Sequence, residues 1–202
     1  MGKRIAIDIN DVLRDFTGQI IKTYIKYIDD DFKIEDDEIT TNDYKSLLPF
    51  STEDEYRQFM YIDYPYEIYA RAESTDKMLS YKFNDWLLRD MRDFEKEDIP
   101  EIMLISPFEA NLTIQATIVF LSKLPSRARE IYFPIDSSTV WDRCDILITA
   151  NPLFLNNVPE GKTVVKINKP YNKEIETEYA FDSMTDVIKD EDNIFYNLID
   201  NA

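Results

Sequence analysis

The sequence predicts an α/β fold, a parallel sheet covered by helices on both faces. Two observations carry this prediction. Short continuous apolar runs recur along the chain, which is the mark of strands buried on both sides. Stretches with helical spacing separate those runs, so the strands are joined by crossovers rather than hairpins.

Arg4 to Asp8 reads as the first buried strand, an apolar run ending in a carboxylate. An amphipathic helix follows, with Ile21, Tyr24, Ile25 and Ile28 at helical spacing and the acidic turn Asp29 to Asp31 closing it. Residues 32–78 hold many charges and tyrosines, few aliphatics, and Pro49 and Pro65, which predicts a small, mostly helical insertion. A further helix pattern runs through Phe83, Leu87, Met91 and Phe94. Ile102 to Ile105 is the second strand, ending at Ser106. Pro107 and Asn111 then open a helix carrying Leu112, Ala116, Val119 and Phe120. Glu130–Phe133, Asp145–Thr149 and Thr163–Ile167 read as the third, fourth and fifth strands. Val187, Ile188, Phe195, Leu198 and Ile199 suggest a closing helix. In open sheets of this kind the site lies outside the carboxyl ends of the strands. Chemistry is therefore sought at Asp8, Ser106, Asp136 and its neighbours, and Thr149 to Asn151.

Composition narrows the chemistry. The 202 residues carry a formal charge of −17, which repels nucleic-acid phosphates and anionic lipid. Direct nucleic-acid and membrane partners are therefore not expected. There is no histidine, so histidine general-base catalysis and Cys/His zinc sites are excluded. Cys144 is the single cysteine and forms no internal disulfide. Three glycines, Gly2, Gly18 and Gly161, supply no glycine-rich phosphate loop. Residues 1–20 carry Asp8, Asp11, Arg14 and Asp15 and do not read as a signal peptide. The expected setting is the cytoplasm, or a virion assembled there.

The strand ends resemble the haloacid dehalogenase superfamily, in its 5′(3′)-deoxyribonucleotidase-like branch. Asp8-Ile9-Asn10-Asp11-Val12-Leu13 is similar to its first motif, D-x-D-x-[TV]-[LV]. Met103-Leu104-Ile105-Ser106 is similar to the second, and Leu147-Ile148-Thr149-Ala150-Asn151-Pro152 to the fourth. Asp63-Tyr64-Pro65-Tyr66-Glu67-Ile68-Tyr69 resembles the cap segment of small nucleotidase-like proteins, several of them phage-encoded. The resemblance implies a Rossmannoid core of residues 1–15 and 79–202, with residues 16–78 as a helical cap inserted after the first strand. It also implies a mechanism in which the first Asp attacks phosphorus and the second moves protons. Mg²⁺ bridges carboxylate and phosphate. The Ser or Thr of the second motif, with a Lys or Arg, holds the phosphoryl oxygens.

The sequence departs from that pattern where it counts. Asp8 is kept, but Asn10 stands where the acid/base Asp belongs, and an amide moves no proton near neutral pH. Thr149 and Ala150 replace the paired acids of the fourth motif, and Asn151 follows them. Ser106 and Arg143 are the candidate phosphate contacts, with Lys123 as an outside candidate for the basic one. The expectation is a catalytically degenerate protein with vestigial Asp8 and Asn10, no metal ligands and no cofactor. Its partners would be other protein subunits in a larger assembly. The bias toward Asp, Asn, Ile, Lys and Tyr is that of an AT-rich genome, and together with the resemblance of the cap segment to phage-encoded proteins it implies a phage virion or assembly component. The alternative is an active Mg²⁺-dependent nucleotidase, with Asp11, Asp136 or Asp142 as substitute metal ligand.

Overall fold

The computed structural model describes residues 3–76, 100–124, 128 and 130–189. The expected helix through Phe83 to Phe94 lies outside them, as does the closing helix beyond residue 189.

Six strands form one sheet: β1 (Arg4–Asp8), β2 (Glu101–Ile105), β3 (Glu130–Tyr132), β4 (Ile146–Thr149), β5 (Thr163–Ile167) and β6 (Tyr179–Phe181). Their order is β3-β2-β1-β4-β5-β6, and every pairing is parallel. Sequence periodicity gave five of them. Tyr179–Phe181 escaped notice because three residues flanked by polar chain are too short to declare a period.

The strand alternation divides the core. Ile5, Ile7, Ile102, Leu104, Ile146, Ile148, Val165 and Ile167 face one layer, which contains Phe120 and Leu121 of helix α4 (Leu112–Leu121) and Met184 and Val187 of α7 (Met184–Lys189). Ala6, Met103, Ile105, Leu147 and Val164 face the other. There they meet Val140 and Trp141 of α5 (Ser138–Trp141), and Phe154 and Leu155 of α6 (Pro152–Leu155). Burial on both faces explains why these strands read as unbroken apolar runs. Each fully buried large side chain contributes roughly 1.5–3 kcal/mol.

Helix α1 (Phe16–Tyr27) begins where the Asp15 carboxylate accepts the Gly18 N–H at 3.2 Å. A Cβ on residue 18 would lie 2.5 Å from that carboxylate, so glycine permits the cap. The buried face of α1 is Phe16, Ile20, Ile21 and Tyr24, whereas Ile28 lies beyond the helix and is exposed. Short helices α2 (Tyr44–Leu47) and α3 (Glu53–Gln58) follow, then two π-helical turns, Phe59–Asp63 and Tyr66–Ala70. These elements share a second core with Ala116 of α4. The chain leaves and re-enters through a paired neck. Asp15 N–H donates to Glu73 C=O at 2.9 Å, and Thr75 N–H donates to Leu13 C=O at 3.0 Å.

Candidate functional site

The chain runs outward from β1 through β2 to β3, then returns to place β4 on the other side of β1. That reversal makes a crevice at the carboxyl ends of β1 and β4, where ligands of open α/β sheets bind. Asp8 and Thr149 end those two strands.

Asp8 is 1% exposed. One carboxylate oxygen accepts the Thr149 hydroxyl at 2.9 Å and the other the Asn10 N–H at 3.2 Å. Burial pushes the Asp8 carboxyl up to about 7, and the Asp11 charge adds to that rise. The two hydrogen bonds oppose it without prevailing.

Below Asp8 lies a buried polar network centred on Arg14. Its Nε donates to Asn10 Oδ1 at 3.0 Å, and its Nη2 donates to the same oxygen and to Glu109 Oε1 at 2.8 Å. Its Nη1 donates to Thr117 Oγ1 at 2.6 Å and to the Tyr69 carbonyl at 3.0 Å. All five guanidinium protons are used. The rings of Phe16 and Tyr69 lie 4.9 and 5.1 Å from the guanidinium carbon. With its oxygen held by Arg14, the Asn10 amide turns its nitrogen to Ser106 Oγ at 3.5 Å. Ser106 is fully buried and donates its own proton to Glu109 Oε1.

Asp11 sits at φ 58 and folds back over the start of α1. Oδ1 accepts the N–H groups of Phe16 and Thr17 at 3.0 and 2.9 Å. Oδ2 accepts the hydroxyls of Thr17 at 2.6 Å, Tyr171 at 2.8 Å and Tyr44 at 3.3 Å. Burial holds the Tyr44 and Tyr171 phenols well above their usual range, and the Asp11 charge adds to it. Both therefore stay protonated donors.

Over these groups opens a cavity of about 320 Å³. Tyr44, Tyr56, Tyr61, Tyr69, Tyr171, Phe16 and Phe108 form its aromatic lining, and Asp8, Asp11 and Asp43 its acidic one. No lysine or arginine lines it among the described residues. Phe108, at φ 64 and 52% exposed, stands at the mouth with Leu153.

The structure thus brings Asp8, Asn10, Ser106, Thr149 and Asn151 to one end of the sheet and parts Arg143 from them. Arg143 precedes β4, at the amino end, where it pairs with Glu130 and lies over the Tyr132 ring at 4.3 Å. Its expected phosphate contact is corrected accordingly: the residue belongs to the opposite edge of the sheet. Lys123 donates to the Ala70 carbonyl at 2.6 Å. Asn151 caps α6 by accepting the Leu153 N–H at 3.0 Å, and it also accepts the Asn42 amide at 3.2 Å. Ala150 is buried and its carbonyl accepts from Asn172 at 2.8 Å.

The donor set does not fit Mg²⁺, the ion such folds use with phosphate. A hard dication wants several charged oxygens in near-octahedral array. Asp8 is engaged by Thr149 and Asn10, the Asp11 oxygens are saturated by the helix and by hydroxyls, and residue 150 offers a methyl. No cluster of three acidic, cysteine or histidine side chains suited to a metal occurs among the described residues. Asp136 and Asp142 are exposed and do not line the cavity.

A protein of Burkholderia xenovorans LB400, described as a haloacid dehalogenase-like hydrolase, superposes with a TM-score of 0.58 over 96% of this chain and 98% of its own, at 7% identity. The fold is haloacid dehalogenase-like. Neither a protein-family model nor a curated protein matches the sequence. At 7% identity the haloacid dehalogenase-like likeness is one of architecture, and the residues of the site have to be read on their own.

Several of those residues were not singled out by sequence. Arg14 and Glu109 form a buried ion pair; they lie four residues after Asn10 and three after Ser106, and nothing local says that they meet. Three tyrosines of the insertion, Tyr56, Tyr61 and Tyr69, wall the cavity. Tyr64 instead stacks on Tyr27, with ring centroids 4.6 Å apart.

Proposed function

We propose that this chain is a non-hydrolytic protein of haloacid dehalogenase-like fold that works as an interaction subunit. One observation carries the reading: the groups that would receive a phosphoryl oxygen are spent inside the protein. Ser106 gives its proton to Glu109, the Asn10 amide nitrogen turns to Ser106, and the cavity above is acidic. A phosphate dianion there would meet carboxylates, with no lysine or arginine among the described residues that line the cavity. Asn10 neither protonates a leaving oxygen nor activates water, a loss that alone costs about 10²- to 10⁴-fold in rate.

The interaction role draws support from the rim. Phe108 and Leu153 are apolar and exposed at the cavity mouth, and Ile135 is 88% exposed nearby, where Phe108 N–H donates to Pro134 C=O at 3.0 Å. The setting we propose is a phage virion or its assembly. It rests on the cap segment Asp63 to Tyr69 and on the residue bias, and so on analogy.

The test is hydrolysis of p-nitrophenyl phosphate and nucleoside monophosphates with Mg²⁺, wild type against Asp8→Asn. The expected result is no difference between them. Turnover that Asp8→Asn abolishes would establish a phosphatase and sink the proposal. Sedimentation with candidate assembly proteins tests the second half, and a monomer that binds none of them counts against it.

A further inference from the structure

We propose that the cavity at the carboxyl ends of β1 and β4 binds a small organic cation with an ammonium head group, enclosed by tyrosine rings above carboxylates. The inference deepens the non-hydrolytic reading and rests on it, since a phosphate site would need the opposite charge.

Three independent features point the same way. Shape is the first: about 320 Å³ lies at the compact end of ligand cavities, enough for a head group and a short chain. Wall chemistry is the second. Five tyrosines and two phenylalanines line the cavity, and aromatic faces attract alkylated ammonium through their quadrupoles. The molecule itself illustrates the preference, because Phe16 and Tyr69 already flank the Arg14 guanidinium at 4.9 and 5.1 Å. Charge is the third. Asp8, Asp11 and Asp43 face the space, and no basic side chain lines it among the described residues. The nearest described cation of the network, Arg14, is neutralised by Glu109 at 2.8 Å and is itself fully buried. A bound cation therefore gains attraction from the acidic lining without displacing an internal partner. A neutral ligand of the same shape loses that attraction, and an anion is repelled.

The test compares choline with its uncharged carbon isostere, dimethylbutanol, by isothermal titration calorimetry on the whole chain. Inorganic phosphate and adenosine monophosphate form the anionic arm. The expected result is choline binding at least tenfold tighter than the isostere, with no heat from the anions. At pH 8, where Asp8 is ionised, Tyr61→Leu, which alters a half-buried wall residue, and Asp8→Asn, which replaces a buried carboxylate by its isostere, should each weaken choline on the order of tenfold. Circular dichroism of each variant separates lost binding from lost fold. Equal binding of choline and isostere overturns the proposal, since the cavity would then be merely apolar. Absence of choline binding with phosphatase activity also absent overturns the cation site while leaving the non-hydrolytic reading intact. Tight phosphate binding overturns both.

Discussion

The two ends of the sheet treat charge in opposite ways. At the amino ends of the strands, acids and bases alternate in the open. Arg4 pairs with Glu101 at 3.0 Å and Glu130 at 3.1 Å, Arg143 shares Glu130, and Lys162 meets Asp145 at 3.0 Å. These side chains are 26% to 68% exposed. Water and salt screen them, and each pair is worth little. At the carboxyl ends charge is hidden. One ion pair, Arg14–Glu109, has side chains 0% and 1% exposed, and beside it sit Asp8 and Asp11 without bases of their own. The lesson is that the described buried bases near the carboxyl ends are locked into structural roles, Arg14 by Glu109 and Lys166 by the Asn172 and Ile175 carbonyls at 3.2 and 2.6 Å. The ion-paired cations Arg4, Arg143 and Lys162 stand at the other end.

Breaking the buried pair should produce the largest effect. Arg14→Met leaves Glu109 charged and dry, with Oε2 already lacking a hydrogen-bond partner among the protein atoms. Chemical denaturation should register a loss of about 3–5 kcal/mol. The double variant Arg14→Met/Glu109→Leu should recover much of it, because the stranded charge goes as well.

Asp8 comes next. A carboxyl raised to about 7 in the fold keeps its proton there after the unfolded chain has lost it, near its ordinary value of 3.8. Stability from this group is therefore intact below about pH 4, falls as pH rises between the two values, and reaches its full deficit above pH 7. The gap bounds the penalty at about 4 kcal/mol. Asp8→Asn should raise Tm at pH 8 and change it little at pH 4. Equal effects at both pH values would mean that Asp8 is charged throughout.

Smaller effects sharpen the contrast. Tyr171→Phe deletes the 2.8 Å bond to Asp11 and should cost about 1–2 kcal/mol by denaturation. Arg143→Ala, at the exposed end, should cost less than about 1 kcal/mol and lose even that in high salt.

Much of the scaffold was legible because burial on two faces writes itself as unbroken apolar strings such as Ile5–Ile7, Ile102–Ile105 and Ile146–Ile148. Strand ends then followed, and with them the meeting of Asp8, Ser106 and Thr149. Partnership between loops was not legible. Arg14 meets Glu109 across 95 residues of sequence, and Tyr171 reaches Asp11 across 160. No periodicity records such contacts. Arg143 misled for a related reason. It is the basic residue nearest the fourth strand in sequence, but it lies at the strand's start, and the distinction between the two ends of a strand belongs to topology.

We propose that the carboxyl end of β1 no longer holds phosphate or its metal. The most direct measurement is fluorine NMR of the protein with Mg²⁺ and beryllium fluoride, which mimics a phosphoryl group on an aspartate. The account predicts only free fluoride species, identical for wild type and Asp8→Asn. A bound resonance that requires both Mg²⁺ and Asp8 would contradict it.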